Sequence, residues 1–280
     1  MKNRPAVIIP LDGSETATKA FGAAEAMTKI MEAMLYIVHV TEEQLPEEEL
    51  LKKLRISQIE VRDFAVRQII GKDAVGEILR FAASIDTQMI VMSSHGLSYN
   101  PKRLLGNITM GIVQRAINPV MVIRPDMENL PGPDWKPQKM LVPQDGTPTA
   151  AAVMTQVYRL AELTGADIDV LSIGVVGRRP PTEAGAIPAP RYLDHPRYDW
   201  TAWAGEFIER FYAQRPPGVE LRLYEREGEL ANVMIGFATE NNDDLIALGW
   251  HGHLESGRAE TVKKLLRETD RPVLLIWSRE

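Results

Sequence analysis

The sequence predicts an α/β protein made of two tandem doubly wound halves, each on a five-stranded, mainly parallel sheet. Three observations carry this. Strand-like apolar runs alternate with helical stretches along the chain. Three landmarks recur in the same order in each half. Runs such as MLYIVHV (34–40) are almost wholly apolar, as expected of strands covered on both faces.

The landmarks fix the repeat. VIIPLDGSETATKA (7–20) matches MLVPQDGTPTAAA (140–152), MIVMSSHG (89–96) matches LIALGWHG (245–252), and INPVMVIRP (117–125) matches DRPVLLIWS (270–278). A duplication is the economical reading. Asp12 and Asp145 lie 133 residues apart but His95 and His251 lie 156 apart, so the second half carries 23 extra residues. The proline-rich stretch 177–200 reads as that insertion, a long surface loop. The expected division is a first domain over 1–126, a linker over 127–138, and a second domain over 139–280.

The first half reads as strand 5–11, helix 15–30, strand 34–40, helix 46–56, strand 60–69, helix 73–86, strand 88–93, helix 108–117 and strand 119–124. The second half supplies strands near 139–144, 167–174, 219–226, 245–249 and 272–277. Ser14 and Thr147 sit where helix N-caps are expected, and Pro148 sits at a favoured first helical position.

Composition narrows the function. The chain has 280 residues, 45% hydrophobic and 25% charged, as in ordinary globular proteins. A net charge of −6 without a long basic cluster argues against nucleic acid. No apolar run reaches the roughly 18–20 residues needed to cross a bilayer, and Asp12 interrupts the N-terminal run too early for a signal peptide. The expected location is the cytoplasm. No cysteine is present, which excludes disulfides and thiol chemistry.

The candidate site is a crevice. Ligands in open α/β sheets bind beyond the carboxyl ends of strands where the strand order reverses. Asp12 ends the first strand, and the loop SHGLSYNPKRLLGN (94–107) follows the fourth. If the sheet reverses between these strands, Asp12 and residues 93–108 converge. Gly106-Asn107 then opens a helix whose free N–H groups suit an anion, with Lys102 and Arg103 nearby. Taken singly, Asp12 reads equally as a turn residue, Gly106 as a turn glycine and His95 as a loop residue.

These residues resemble the universal stress protein family, in two copies covering nearly the whole chain. The resemblance rests on Pro-x-Asp near the start of each copy, the loop, and the closing Pro-Val strand. It implies Rossmann-like domains. ATP-binding members carry Gly-x-x-Gly, nine residues, then Gly-Ser or Gly-Thr. Here the string is Ser93-Ser-His-Gly96, nine residues, then Gly106-Asn107, so Ser93 and Asn107 depart from the pattern. The resemblance implies that Asp12 and Val40 flank adenosine with Pro10 and Met92 nearby, while Gly96, Gly106, Asn107 and Ile108 face the phosphates of ATP with Mg²⁺. In the second copy, counting back from Pro272 puts Ala259-Glu260 at the phosphate positions, on a loop three residues shorter. A carboxylate there would oppose nucleotide.

The expected function is nucleotide-responsive regulation under stress, with a regulatory protein partner. The resemblance implies that the two domains pair within the chain through strands 119–124 and 272–277, with a homodimer as a further option. The alternative is a scaffold with two degenerate sites. A third reading, slow ATP hydrolysis, lacks a positioned base or nucleophile, so no enzyme is expected. No Gly-x-Ser-x-Gly elbow or Walker string occurs, and His251-Gly-His253 beside Asp243, Asp244 and Glu255 is too weak a pattern to predict a metal. The aromatic stretch 191–203 reads as packing over the second sheet's edge, with a cover for a partner or ligand as the alternative.

Overall fold

A computed structural model describes residues 4–56, 63–96, 105–144, 148–174, 208, 211–252 and 257–278. The chain divides into two compact units, Met1–Lys136 with Gly252–Leu275, and Pro137–His251 with Ile276–Glu280. The expected insertion over 177–200 and the aromatic stretch 191–203 lie outside the described residues.

The first unit runs β1 (Ala6–Pro10), α1 (Glu15–Thr18), α2 (Phe21–Ile30), β2 (Met34–Thr41), α3 (Glu47–Lys53), β3 (Phe64–Ile70), α4 (Ala74–Ser84), β4 (Thr87–Ser93), α5 (Asn107–Arg115) and β5 (Val120–Ile123). Its strands lie in the order β3-β2-β1-β4-β5, all parallel. The order reverses between β1 and β4, as the sequence reading required. Ala6–Ile9 of β1 and all of β5 are buried, because helices cover both faces of a parallel sheet.

One expected helix is two. Over 15–30 the chain forms α1 and α2, joined by a turn in which the Lys19 and Ala20 amides donate to the Thr16 and Ala17 carbonyls at 3.3 Å. These tight i−3 bonds end α1 and re-aim α2. A methyl group at Gly22 of α2 would collide with the Pro131 carbonyl. The stretch read as a linker therefore packs on α2 in its first part, where Lys29 Nζ also reaches Asp134 at 3.0 Å.

The second unit contains β6 (Lys139–Gln144), α6 (Pro148–Thr164), β7 (Asp167–Gly174), β8 (Leu221–Glu227), α7 (Leu230–Glu240) and β9 (Leu245–Trp250). Its parallel strands lie in the order β9-β6-β7-β8. The chain then forms α8 (Gly257–Glu268) and β10 (Val273–Trp277). The pairing expected between 119–124 and 272–277 is present: β10 runs antiparallel to β5, with Val273, Leu274 and Leu275 opposite Val122, Met121 and Val120. Two buried apolar strands with open edges satisfy each other's backbone. Arg124, just past β5, donates to the Arg267 carbonyl at 2.9 Å and to Asp270 at 2.5 Å. Its Nε lies 2.9 Å from Asp126 without hydrogen-bond alignment.

One buried charge in the second unit has a consequence for stability. Asp169 on β7 is fully buried, with Arg222 Nη1 at 3.5 Å and Lys139 Nζ at 3.7 Å. Burial raises its carboxyl above the ordinary 3.8, and the two cations only partly oppose that. The folded state therefore holds this proton more tightly than the unfolded chain does. Its contribution to stability is full below pH 3.8 and is lost as pH rises through the raised folded value. Denaturant unfolding of the wild type and of Asp169→Asn across this range is expected to show the wild type losing stability relative to the variant as pH rises. A difference that grows in the wild type's favour would contradict this.

Candidate functional site

β1 ends at Pro10, and Leu11 and Asp12 leave the sheet at its reversal. Asp12 Oδ1 accepts from the Ser14 amide at 2.9 Å and from Ser14 Oγ at 2.6 Å, closing a turn. Ser14 Oγ accepts in turn from the Ala17 amide at 3.1 Å, so it caps α1 as expected. Gly13 within this turn has φ +88°, where a side chain would be strained and would also meet the Lys53 carbonyl.

On the neighbouring strand, the Ser94 amide donates to the Ile123 carbonyl at 2.8 Å and continues the ladder one residue past β4. The Gly106 amide donates to the Ser94 carbonyl at 2.8 Å, and Thr109 Oγ1 donates to the Ser93 carbonyl at 2.9 Å. The loop that leaves at His95 thus returns to the same strand end. Thr16 Oγ1 donates to the Gly96 carbonyl at 3.0 Å and ties the Asp12 turn to this loop. The contact is close: a methyl group at Gly96 would collide with Asp12 Oδ2. Gly96 is small because a carboxylate lies against it. Gly106 is different, since a methyl group there would meet neighbours only at 3.5 Å or beyond.

Gly106 is the N-cap of α5, with extended backbone (φ −63°, ψ 152°) and no side-chain cap. The first bond of the helix runs from the Met110 amide to the Gly106 carbonyl at 2.9 Å. The Asn107, Ile108 and Thr109 amides therefore precede any intrahelical acceptor. Together with the helix dipole they suit an anion.

A cavity of about 360 Å³ opens over these elements. Pro10, Asp12, Val40, Met92, Gly96, Gly106, Asn107 and Ile108, the residues singled out by resemblance, all line it. Ser93, which stands where the family pattern has glycine, lines it too, and its Oγ accepts a long bond of 3.4 Å from the His95 amide. Sequence reading missed Val38, Ala74, Ile78 and Thr109 on the wall. The two α4 residues depend on how that helix is rotated against the sheet, which no local motif records. Lys102 and Arg103 lie outside the described residues.

The second half differs from its expectation. Asp145 and Thr147 lie outside the described residues. Glu260, expected at a helix mouth, is the fourth residue of α8, exposed and paired with Lys263 Nζ at 2.6 Å. This helix begins at Gly257, three residues before the position matching Asn107. Ala259 is buried accordingly. His253 and Glu255 lie outside the described residues, and among the described ones no three His, Asp or Glu side chains cluster to hold a metal. No helix among them is long and apolar enough to cross a membrane.

The model of the universal stress protein family matches residues 4–124 and again residues 137–276. Among solved structures, a universal stress protein from Archaeoglobus fulgidus DSM 4304 is similar over 98% of this chain and 97% of its own, with TM-score 0.68 and 16% identity. A universal stress protein assignment from Pseudomonas aeruginosa UCBPP-PA14 is similar over 99% and 94%, with TM-score 0.66 and 15% identity. At such identities the likeness is one of fold. No match was found among curated protein sequences.

The two loop glycines should separate in a stability measurement. Gly96→Ala is expected to cost about 1–3 kcal/mol, because the methyl group must displace the Asp12 carboxylate. Gly106→Ala should cost under about 1 kcal/mol, because the backbone there is ordinary and the space is open. Urea unfolding midpoints check this, and equal costs would overturn the packing argument.

Proposed function

The chain belongs to the universal stress protein family, and we propose that its first unit binds an adenine nucleotide, ATP with Mg²⁺, as a regulator of the stress response. The observation that carries this is the uncapped N-terminus of α5 opening on the same cavity as Asp12. The α5 amides suit phosphates, and the apolar wall of Val38, Val40, Ile78 and Met92 suits a base. Asp12 accepts hydrogen bonds, so it suits a ribose hydroxyl or an exocyclic amine. Asn107 lacks the family's hydroxyl, but its amide can donate to a phosphate oxygen.

The site holds its ligand rather than turning it over. His95 is the one imidazole on the described wall, and its Nδ1 is engaged by Ser94 Oγ at 2.9 Å. Mg²⁺ would neutralise the triphosphate, and no protein ligands are assigned to it. The nucleotide state would be read by a regulatory protein partner in the cytoplasm. The antiparallel β5–β10 pairing supports an internal pair of the two repeats.

Calorimetric titration of nucleotide-stripped protein with ATP and Mg²⁺ is expected to give one site per chain. Gly106→Glu should abolish it, since like charges about 4 Å apart cost about 1–4 kcal/mol at effective dielectrics of roughly 80 to 20. Phosphate release by the wild type should stay at the level of that variant. Absence of binding at millimolar ATP would overturn the proposal and favour the scaffold reading.

A further inference from the structure

His39 on β2 is buried, and its ring has an unusual partner: Nδ1 lies 2.8 Å from the Leu11 carbonyl oxygen. A carbonyl only accepts, so Nδ1 carries a proton. Among the described residues Nε2 has no hydrogen-bond partner. A leucine or phenylalanine would fill this position without leaving a buried polar atom unsatisfied. The ring is therefore better explained by the bond it makes than by the space it fills.

That bond falls where the β1–β2 ladder stops. The Met34 amide donates to Pro5 and the Leu35 amide to Asp63, so the even-numbered amides of β2 face β1. The last backbone bond of the ladder runs from the Leu11 amide to the Val38 carbonyl at 2.9 Å. The next would join the Val40 amide to the Leu11 carbonyl, and no such bond occurs among the described residues. The imidazole has taken its place. Leu11 and Val40 both line the cavity, and Asp12 follows Leu11 directly.

We propose that His39 is the positioning residue of the crevice: its ring holds the Leu11 carbonyl, ends the ladder there, and so presents the Leu11-Asp12 turn and the Val40 amide to the ligand. His39 itself, between the cavity residues Val38 and Val40, points to the opposite face of the strand. It acts through its neighbours and does not touch the ligand. The effect on ligand affinity rests on the nucleotide reading above; the effect on the turn does not.

Two variants test this. In His39→Asn the side-chain amide can overlay Nδ1 and restore the donor, whereas His39→Leu removes it and keeps apolar bulk. The first readout is hydrogen exchange of the Ser14 amide, which is bonded to Asp12 Oδ1, against core amides such as Ile8 and Ile90. In His39→Leu, Ser14 should exchange about tenfold faster relative to those amides, the scale of one lost hydrogen bond, and His39→Asn should return it to within about threefold. The second readout is ATP affinity, expected to follow the same order. Unchanged relative exchange at Ser14 in His39→Leu would overturn the proposal. So would an Asn variant as impaired as the Leu variant, which would leave His39 a packing residue. If the wild type binds no ATP, the nucleotide reading fails, and the exchange result still decides the role of His39.

Discussion

Two parallel strands that end side by side, while their chains continue in opposite directions along the sheet, leave a crevice whose floor is backbone. β1 leads to β2 and β4 leads to β5, so the crevice opens between Leu11 and Ser94. Everything proposed for this protein depends on that reversal. It places the Asp12 turn and the mouth of α5 within reach of one another, although they lie more than ninety residues apart in sequence. It also explains why the cavity is walled by apolar strand ends and closed by polar turns.

The turns are held by short-range hydrogen bonds. Asp12 holds Ser14, Ser14 caps α1, and Thr16 reaches across to Gly96. Each bond is worth only about 1 kcal/mol net, but they share residues, so loosening one loosens the next. Such coupling ties the Asp12 turn to the start of the loop at Gly96. Gly96 and Gly106 then have separate jobs. One allows a carboxylate to sit against the backbone, and the other leaves the start of α5 open.

Much of this was legible in the sequence because the duplication repeats each signal. The paired Pro-x-Asp-Gly segments and the paired closing strands located the strand ends, so that Asp12 and the 94–107 loop converge if the sheet reverses between their strands, and the strand order does reverse there. The pairing of β5 with β10 was expected from the family resemblance, in which the closing strands of two domains pair. What escaped depends on tertiary contacts. The split between α1 and α2 has no proline or glycine at the turn, only i−3 bonds at Lys19 and Ala20. The helix α8 starts at Gly257, three residues before the position that a count from Pro272 gives. His39 read as one more residue of an apolar strand, and only the Leu11 carbonyl reveals its use. The grouping of Gly252–Leu275 with the first unit likewise follows from long-range strand pairing.

The mouth of α5 and the Asp12 turn are proposed to form one ligand site. The most direct measurement is an amide chemical-shift map of isotope-labelled full-length protein titrated with ATP and Mg²⁺. The largest shifts are expected at Gly96, Gly106, Asn107 and Ile108, with smaller ones at Asp12 and Val40. Shifts confined elsewhere, for example to the groove between α3 and β3 lined by Leu50, Leu51 and Phe64, would contradict the proposal.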